Sequence, residues 1–289
     1  MPNACSGVQS PPNSNSEKLK VTSLPKWADA LAATRNLFKG SPDDPTPVHN
    51  RDVFYIQLLA DLGALDESKH IVDLGAGLTW VDTILRKLGP KVTLVDDYGG
   101  GGGVDRERRE AALAIIARLR SEFGIGVAEL DCLKNPLPFA DASVDVVTCF
   151  HSMEHWADSP KPLFAEIIRI LKPAGYVIFA VPNAVNLRKR LTVLMGRNNW
   201  CPLDYWYHEP PPFRGHVREP VLADLHQIFE WNGLQVKASH GRNFIGRDIH
   251  SLGWLPLSIR HIIADVSEKV LQFFPTLCSD IHVVGQKPR

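Results

Sequence analysis

The chain has 289 residues, and 32 lysines and arginines balance 32 aspartates and glutamates, so its formal net charge is zero. That balance argues against a nucleic-acid partner, whose phosphates are met by a surplus of basic residues. Five widely spaced cysteines (Cys5, Cys132, Cys149, Cys201, Cys278) include no CxxC pair, which fits a reducing, cytoplasmic setting and offers no metal knuckle.

A chain of this length can bury a full core, and one domain of about 220–240 residues plus extensions is expected. Residues 1–24 are rich in Pro, Ser and Asn and read as a flexible tail without the apolar stretch of a signal peptide. No run of 18 apolar residues occurs, so no transmembrane segment is expected. Residues 25–66 form a helical extension. Its first helix carries Trp27, Leu31, Leu37 and Phe38 and ends at Gly40; after a polar SPDDPTP linker, a second spans about 50–64 with Val53, Phe54, Ile56, Leu58 and Leu59. The pair could cover a sheet edge, close over a ligand, or do both.

The main domain, 67–289, opens on IVDLGAG at 71–77. A short apolar run carrying Asp73 breaks into Gly75-Ala76-Gly77, and a helical pattern follows with Trp80, Val81, Ile84, Leu85 and Leu88. Thr79 and Asp82 suggest a capping box at its start. A second apolar run, 91–96, ends on Asp96. Strand, glycine turn, helix and acid-tipped strand together make a nucleotide-type site, in which glycines admit a ligand to the backbone and the acid accepts from ribose hydroxyls. Trp80 occupies the place of the third glycine of a dinucleotide fingerprint, which argues against a nicotinamide cofactor.

Asp97 and Tyr98 lead into five glycines, Gly99–Gly103, read as a flexible loop. A helix over 105–122, a strand at about 125–130, the turn NPLPFADAS and a strand at 144–150 come next. Ser159 then caps a helix with Pro160 at its first position. Lys172–Gly175 reads as the turn into the strand YVIFAVP. Repeated strand–helix units of this length imply parallel pairing. The rhythm breaks over 184–216, an insertion holding a basic amphipathic piece and an aromatic, proline-rich stretch, where a substrate pocket would be built. A helix at 218–231, a strand at 234–238, a helix at about 257–274 and a strand at 281–285 complete the domain. There is no internal repeat.

Within VDVVTCFHSMEHW, His151 and His155 stand four apart with Glu154 between them. The order His-x-x-Glu-His is not that of the zinc motif HExxH and no third ligand is evident, so no metal site is expected. His151 and His155 are instead candidate catalytic bases, His151 the better placed. Arg188 in the basic run, Tyr205 and Tyr207 in the aromatic stretch, and His216 before the next helix are candidates for contact with substrate. The apolar residues around the basic run also admit peripheral contact with a membrane surface.

VDLGAG at 72–77, Val95-Asp96, the turn from Asp131 to Phe139, VDVVTCFHSMEHW, LKPAGYVIFAVPN ending at 183, and HVREPVLADLHQIFEWNGL at 216–234 occur in the order found in class I S-adenosylmethionine-dependent methyltransferases. The chain resembles that family over about 68–240, and within it the small-molecule enzymes that include those of ubiquinone and menaquinone biosynthesis. The resemblance implies a Rossmann-like α/β fold, a seven-stranded doubly wound sheet, mostly parallel with an antiparallel last strand. It implies S-adenosyl-L-methionine as cofactor, with Asp73, Gly75, Ala76 and Gly77 beside its methionine part, Asp96 on the ribose, and Asp97, Asp131 and Cys132 near the adenine. Phe150 and His151 would flank the sulfonium and the acceptor. Thr79 replaces a frequent third glycine, and the pentaglycine run replaces a short turn. The expected activity is methyl transfer to oxygen, nitrogen or carbon of a small molecule or glycan/lipid intermediate, by a monomer or homodimer. The competing reading is a non-catalytic protein that binds the same cofactor.

Overall fold

The computed structural model describes residues 20–39, 50–78, 80–99, 106–209, 213–243 and 256–289. Thr79, Gly40, the SPDDPTP linker, Gly100–Gly103 and most of the expected tail lie outside the described residues.

Runs of β-branched and apolar residues form strands β1 (His70–Leu74), β2 (Lys91–Asp96), β3 (Gly126–Glu129), β4 (Val144–Phe150), β5 (Leu171–Pro182), β6 (Gln235–Arg242) and β7 (Asp280–Gln286). They make one sheet in the order β3-β2-β1-β4-β5-β7-β6. β7 runs antiparallel to both its neighbours, and the other pairings are parallel. This is the expected topology.

Successive strand residues point to opposite faces, so a sheet covered on both sides needs apolar residues at nearly every position. Ile71, Val92, Leu94 and Ile178 pack with helices α1 (Trp27–Phe38), α2 (Asn50–Asp61), α3 (Val81–Leu88) and α4 (Arg106–Phe123). Their neighbours Val72, Val95, Val177 and Phe179 pack on the other face with α5 (Lys161–Ile170) and α8 (Leu222–Trp231). The 184–216 segment contributes α6 (Leu187–Leu194) and α7 (Leu203–His208), and α9 (Leu257–Leu271) precedes the last strand. No helix among the described residues is long and apolar enough to cross a membrane.

Three local expectations are corrected. α3 begins at Val81 with Trp80 in the cap position and no side-chain cap, one residue later than the start expected from Thr79, which itself lies outside the described residues. Lys172–Gly175 is not a turn outside the sheet. Leu171 pairs with Val144 and Tyr176 with Val146, so the intervening residues bulge within one long strand. Ala174 takes a φ of 60° there, and bonds to Lys287 on both sides of it satisfy the displaced backbone. Finally, the chain is already docked at Val21, which is buried and donates its N–H to Gln57.

Candidate active site

β1 and β4 are neighbours, but the chain leaves them in opposite directions across the sheet, toward β2 and toward β5. The loops at their carboxyl ends therefore diverge and open a crevice at the switch point. The glycine turn forms one wall. Gly75 has φ 63°, and a Cβ there would stand 1.9 Å from Ser152 Oγ in the loop after β4, so a side chain would collide across the crevice. Gly77 has φ 56° and open space where its Cβ would be, which leaves its backbone approachable.

Asp96, at the end of β2, accepts from Gly77 N at 2.9 Å on one oxygen and from Tyr98 N at 2.7 Å on the other. Each oxygen keeps a lone pair for a ribose hydroxyl. Asp73 is 4% exposed and accepts from Thr148 Oγ1 at 2.6 Å. Burial, then the neighbouring Asp82, pushes its carboxyl well above the ordinary range, and burial also raises Asp96. Buried acids facing a crevice suit a ligand that brings a cation and hydroxyl donors, and the ammonium and ribose of S-adenosylmethionine supply both.

The adenine-side candidates are partly committed to the fold. Asp97 accepts from Gly99 N and so shapes the entry to the glycine run. Asp131 accepts from Leu133 N and pairs with Lys134. The Cys132 thiol is pushed up to about 12 by burial and by Asp131, Asp96 and Asp97 in turn, so it stays protonated.

The opposite wall follows β4. Phe150 stacks on Tyr55 of α2, with ring centroids 4.1 Å apart and planes 10° off parallel. His151 sits at φ 53°, a strained conformation for a non-glycine residue. Its Nε2 is 2.7 Å from Tyr55 Oη and 3.4 Å from Asp280 Oδ1, and its Nδ1 is 3.4 Å from Glu154 Oε1. Burial holds the Tyr55 phenol well above its usual range, so it remains a donor. Tyr55, Asp280 and Glu154 were missed as partners of His151. Only the tyrosine left a signal, as the one phenol within an apolar helical face.

His155 belongs to a different cluster. Its Nδ1 lies 2.8 Å from Arg214 O, and its ring meets His216 edge-on at 4.9 Å. His216 Nδ1 is 2.7 Å from Glu219 Oε1, and burial holds its imidazole below its ordinary value. Glu154, 1% exposed, stands between the two clusters. The chain before α8 returns to place His216 beside Glu154 and His155, a neighbour that the local His-x-x-Glu-His spacing did not show.

Among the remaining substrate candidates, Arg188 is exposed while Lys189 turns inward and pairs with Glu219. Tyr205 rests on Phe213, with ring centroids 6.0 Å apart, whereas Tyr207 is 73% exposed and beside His208. A cavity of about 390 Å³ is lined by Trp200, Cys201, Leu203, Trp206, Phe213 and His216. The insertion therefore does build a pocket, but with tryptophans rather than the two tyrosines.

A family model described as a methyltransferase domain matches residues 48–239. A probable S-adenosylmethionine-dependent methyltransferase of Mycolicibacterium smegmatis is 30% identical over 171 residues, 57% of this chain and 56% of that protein. The malonyl-[acyl-carrier protein] O-methyltransferase of Serratia marcescens is 26% identical over 161 residues, 55% of each. The chain thus spans about half the length of the curated relatives it matches. An S-adenosylmethionine-dependent methyltransferase from Archaeoglobus fulgidus shares the fold, with a TM-score of 0.50 at 15% identity over 82% of this chain and 95% of that one.

Proposed function

The chain belongs to the methyltransferase-domain family, the class I S-adenosylmethionine-dependent methyltransferases, and from that premise we propose that it transfers a methyl group from S-adenosylmethionine to an ionisable O–H or N–H group of a small-molecule or lipid-linked acceptor. When bound, the cofactor supplies an electrophilic methyl group on a sulfonium. Asp73, Gly75, Ala76 and Gly77 hold its amino-acid portion, Asp96 its ribose, and Asp97, Asp131 and Cys132 border the adenine. Phe150, backed by Tyr55, walls the reacting centre and keeps water from it.

The observation that carries the reading is the cluster of His151, Tyr55, Glu154 and Asp280 at the end of β4. An acceptor O–H or N–H that displaced the Tyr55 hydroxyl from His151 would give its proton to Nε2. The resulting positive charge would lie between two carboxylates. The M. smegmatis and S. marcescens relatives, both named as methyltransferases, support transfer over cofactor binding alone. His155, held on Arg214 O, is a neighbour of this site rather than a second base.

Titration calorimetry with S-adenosylmethionine tests the first half. The wild type should bind, and Asp96→Ala should weaken binding at least tenfold, about 1.4 kcal/mol, by removing the acceptor of both ribose hydroxyls. Absence of binding at millimolar ligand would sink the proposal. The acceptor is sought with labelled methyl donor in cell extract, and a product whose formation survives His151→Ala undiminished would exclude the role given to His151.

A further inference from the structure

We propose that Glu154, His155 and His216 bind one divalent transition-metal ion of zinc-like preference, beside the acceptor wall and distinct from the cofactor crevice. One ligand atom from each of the three lies within 4.8 Å of the others.

The hydrogen bonds already present orient the histidines for this. His155 Nδ1 faces a backbone carbonyl, Arg214 O, and His216 Nδ1 faces the Glu219 carboxylate. Both partners can only accept, so Nδ1 carries the proton in each ring, and in the neutral tautomer the lone pair is left on Nε2. Metal-binding histidines are commonly fixed by such a carbonyl or carboxylate. The second oxygen of Glu219 is in turn held by buried Lys189. Glu154 supplies an independent sign. It is 1% exposed, one of its oxygens faces His151, and the other, Oε2, is buried without a hydrogen-bond partner among the described residues. A buried carboxylate oxygen left so is costly unless a cation meets it.

The two segments that carry the ligands are also pinned together. Val217 N and Arg218 N both donate to Glu154 O, at 2.7 and 3.2 Å. An ion at about 2.1 Å from each ligand draws the three atoms closer than their present spacing of up to 4.8 Å, a movement asked of the exposed His155 and part-buried His216 side chains. Two imidazoles and one carboxylate suit zinc and its neighbours better than magnesium or calcium, which prefer all-oxygen sets. Because Glu154 touches His151 with its other oxygen, an ion here would stiffen the loop that carries His151.

The test uses the full chain with any histidine tag removed, equilibrated with zinc and then passed into metal-free buffer. Elemental analysis should find about one ion per chain, and zinc, but not magnesium, should raise the melting temperature. His155→Gln and His216→Gln should each lose the retained ion. Glu219→Gln, which weakens the acceptor that orients His216 and the partner of Lys189 but removes no ligand, should weaken affinity roughly 10–100-fold. His155 is exposed, so His155→Gln serves as the folded control, checked by its circular dichroism. No retained ion in the wild type, or retention undiminished in His155→Gln, would overturn the proposal. Neither result depends on cofactor binding or turnover.

Discussion

Tyr55 joins the N-terminal helices to the chemistry through one hydroxyl and one ring face. Its hydroxyl meets His151, 96 residues away in sequence, and its ring covers Phe150. The two roles separate by substitution. Tyr55→Phe keeps the stacked ring and removes the hydrogen bond that holds His151 until an acceptor displaces it, so kcat/KM for the acceptor should fall about tenfold while cofactor affinity and melting temperature stay near wild type. Tyr55→Ala also removes a fully buried ring, at about 3–5 kcal/mol of stability. A kcat/KM unchanged in Tyr55→Phe would mean that the phenol only fills space. His151 could be picked out from its sequence context, but Tyr55 could not, because nothing local in a helix says which distant loop it will meet.

At the scale of elements, α5 and the turn before β4 show how one side chain fixes an irregular segment. Arg169 donates to Leu137 O and Phe139 O and pairs with Asp141 and Glu166, so the carbonyls of a turn with two prolines are satisfied from a single guanidinium. Glu166 in turn accepts from Leu137 N. Arg169→Ala should lower unfolding stability by about 1.5–3 kcal/mol, read by denaturant titration, and Arg169→Lys should recover little of it, since an ammonium lacks the fork.

α6 and α7 pose the opposite case. Leu194, Trp200 and Trp206 are 82, 72 and 58% exposed, and Arg188, Arg190 and Arg197 are exposed in the same stretch of chain. We propose that this segment presents the acceptor at an anionic membrane surface. Sedimentation with vesicles containing anionic lipid should carry the protein down, less so in raised salt, and the double variant Leu194→Ser, Trp206→Ser should remain in the supernatant. Equal sedimentation of the variant would assign the face elsewhere, for instance to a second copy of the chain.

The whole molecule carries a pH dependence that follows from burial. His70 is held down to about 4, by burial first and Lys91 second, and fully buried His282 lies well below its ordinary value. In the unfolded chain both take up protons near 6.5, the usual value. Between that pH and about 4 these two groups bind more protons in the unfolded state, so their contribution to stability falls as the solution is acidified through this window, against the opposite contribution of the raised Asp73, Asp96 and Asp280 carboxyls, which take up protons in the folded state. Denaturant titrations across it should show stability falling more steeply with acid in the wild type than in His70→Gln, whose amide can still meet Thr93. An identical slope in the variant would show that His70 contributes nothing.

The strand–helix alternation, the glycine turn and the acid at Asp96 were legible along the chain because strand period, helix period and glycine turns are local properties, while the reversed last strand was implied by the resemblance that six motif segments in one order carry. Boundaries slipped where neighbours intervened, as at Lys172–Gly175, whose backbone is satisfied by Lys287 more than a hundred residues on. The sequence by itself thus determined a doubly wound sheet and the glycine turn and acid proposed to wall the cofactor. Only the tertiary structure decided what faces that wall, bringing Tyr55, Asp280 and Glu154 to His151 and His216 to His155. Those meetings depend on packing across the whole sheet, which spacing along the chain does not encode.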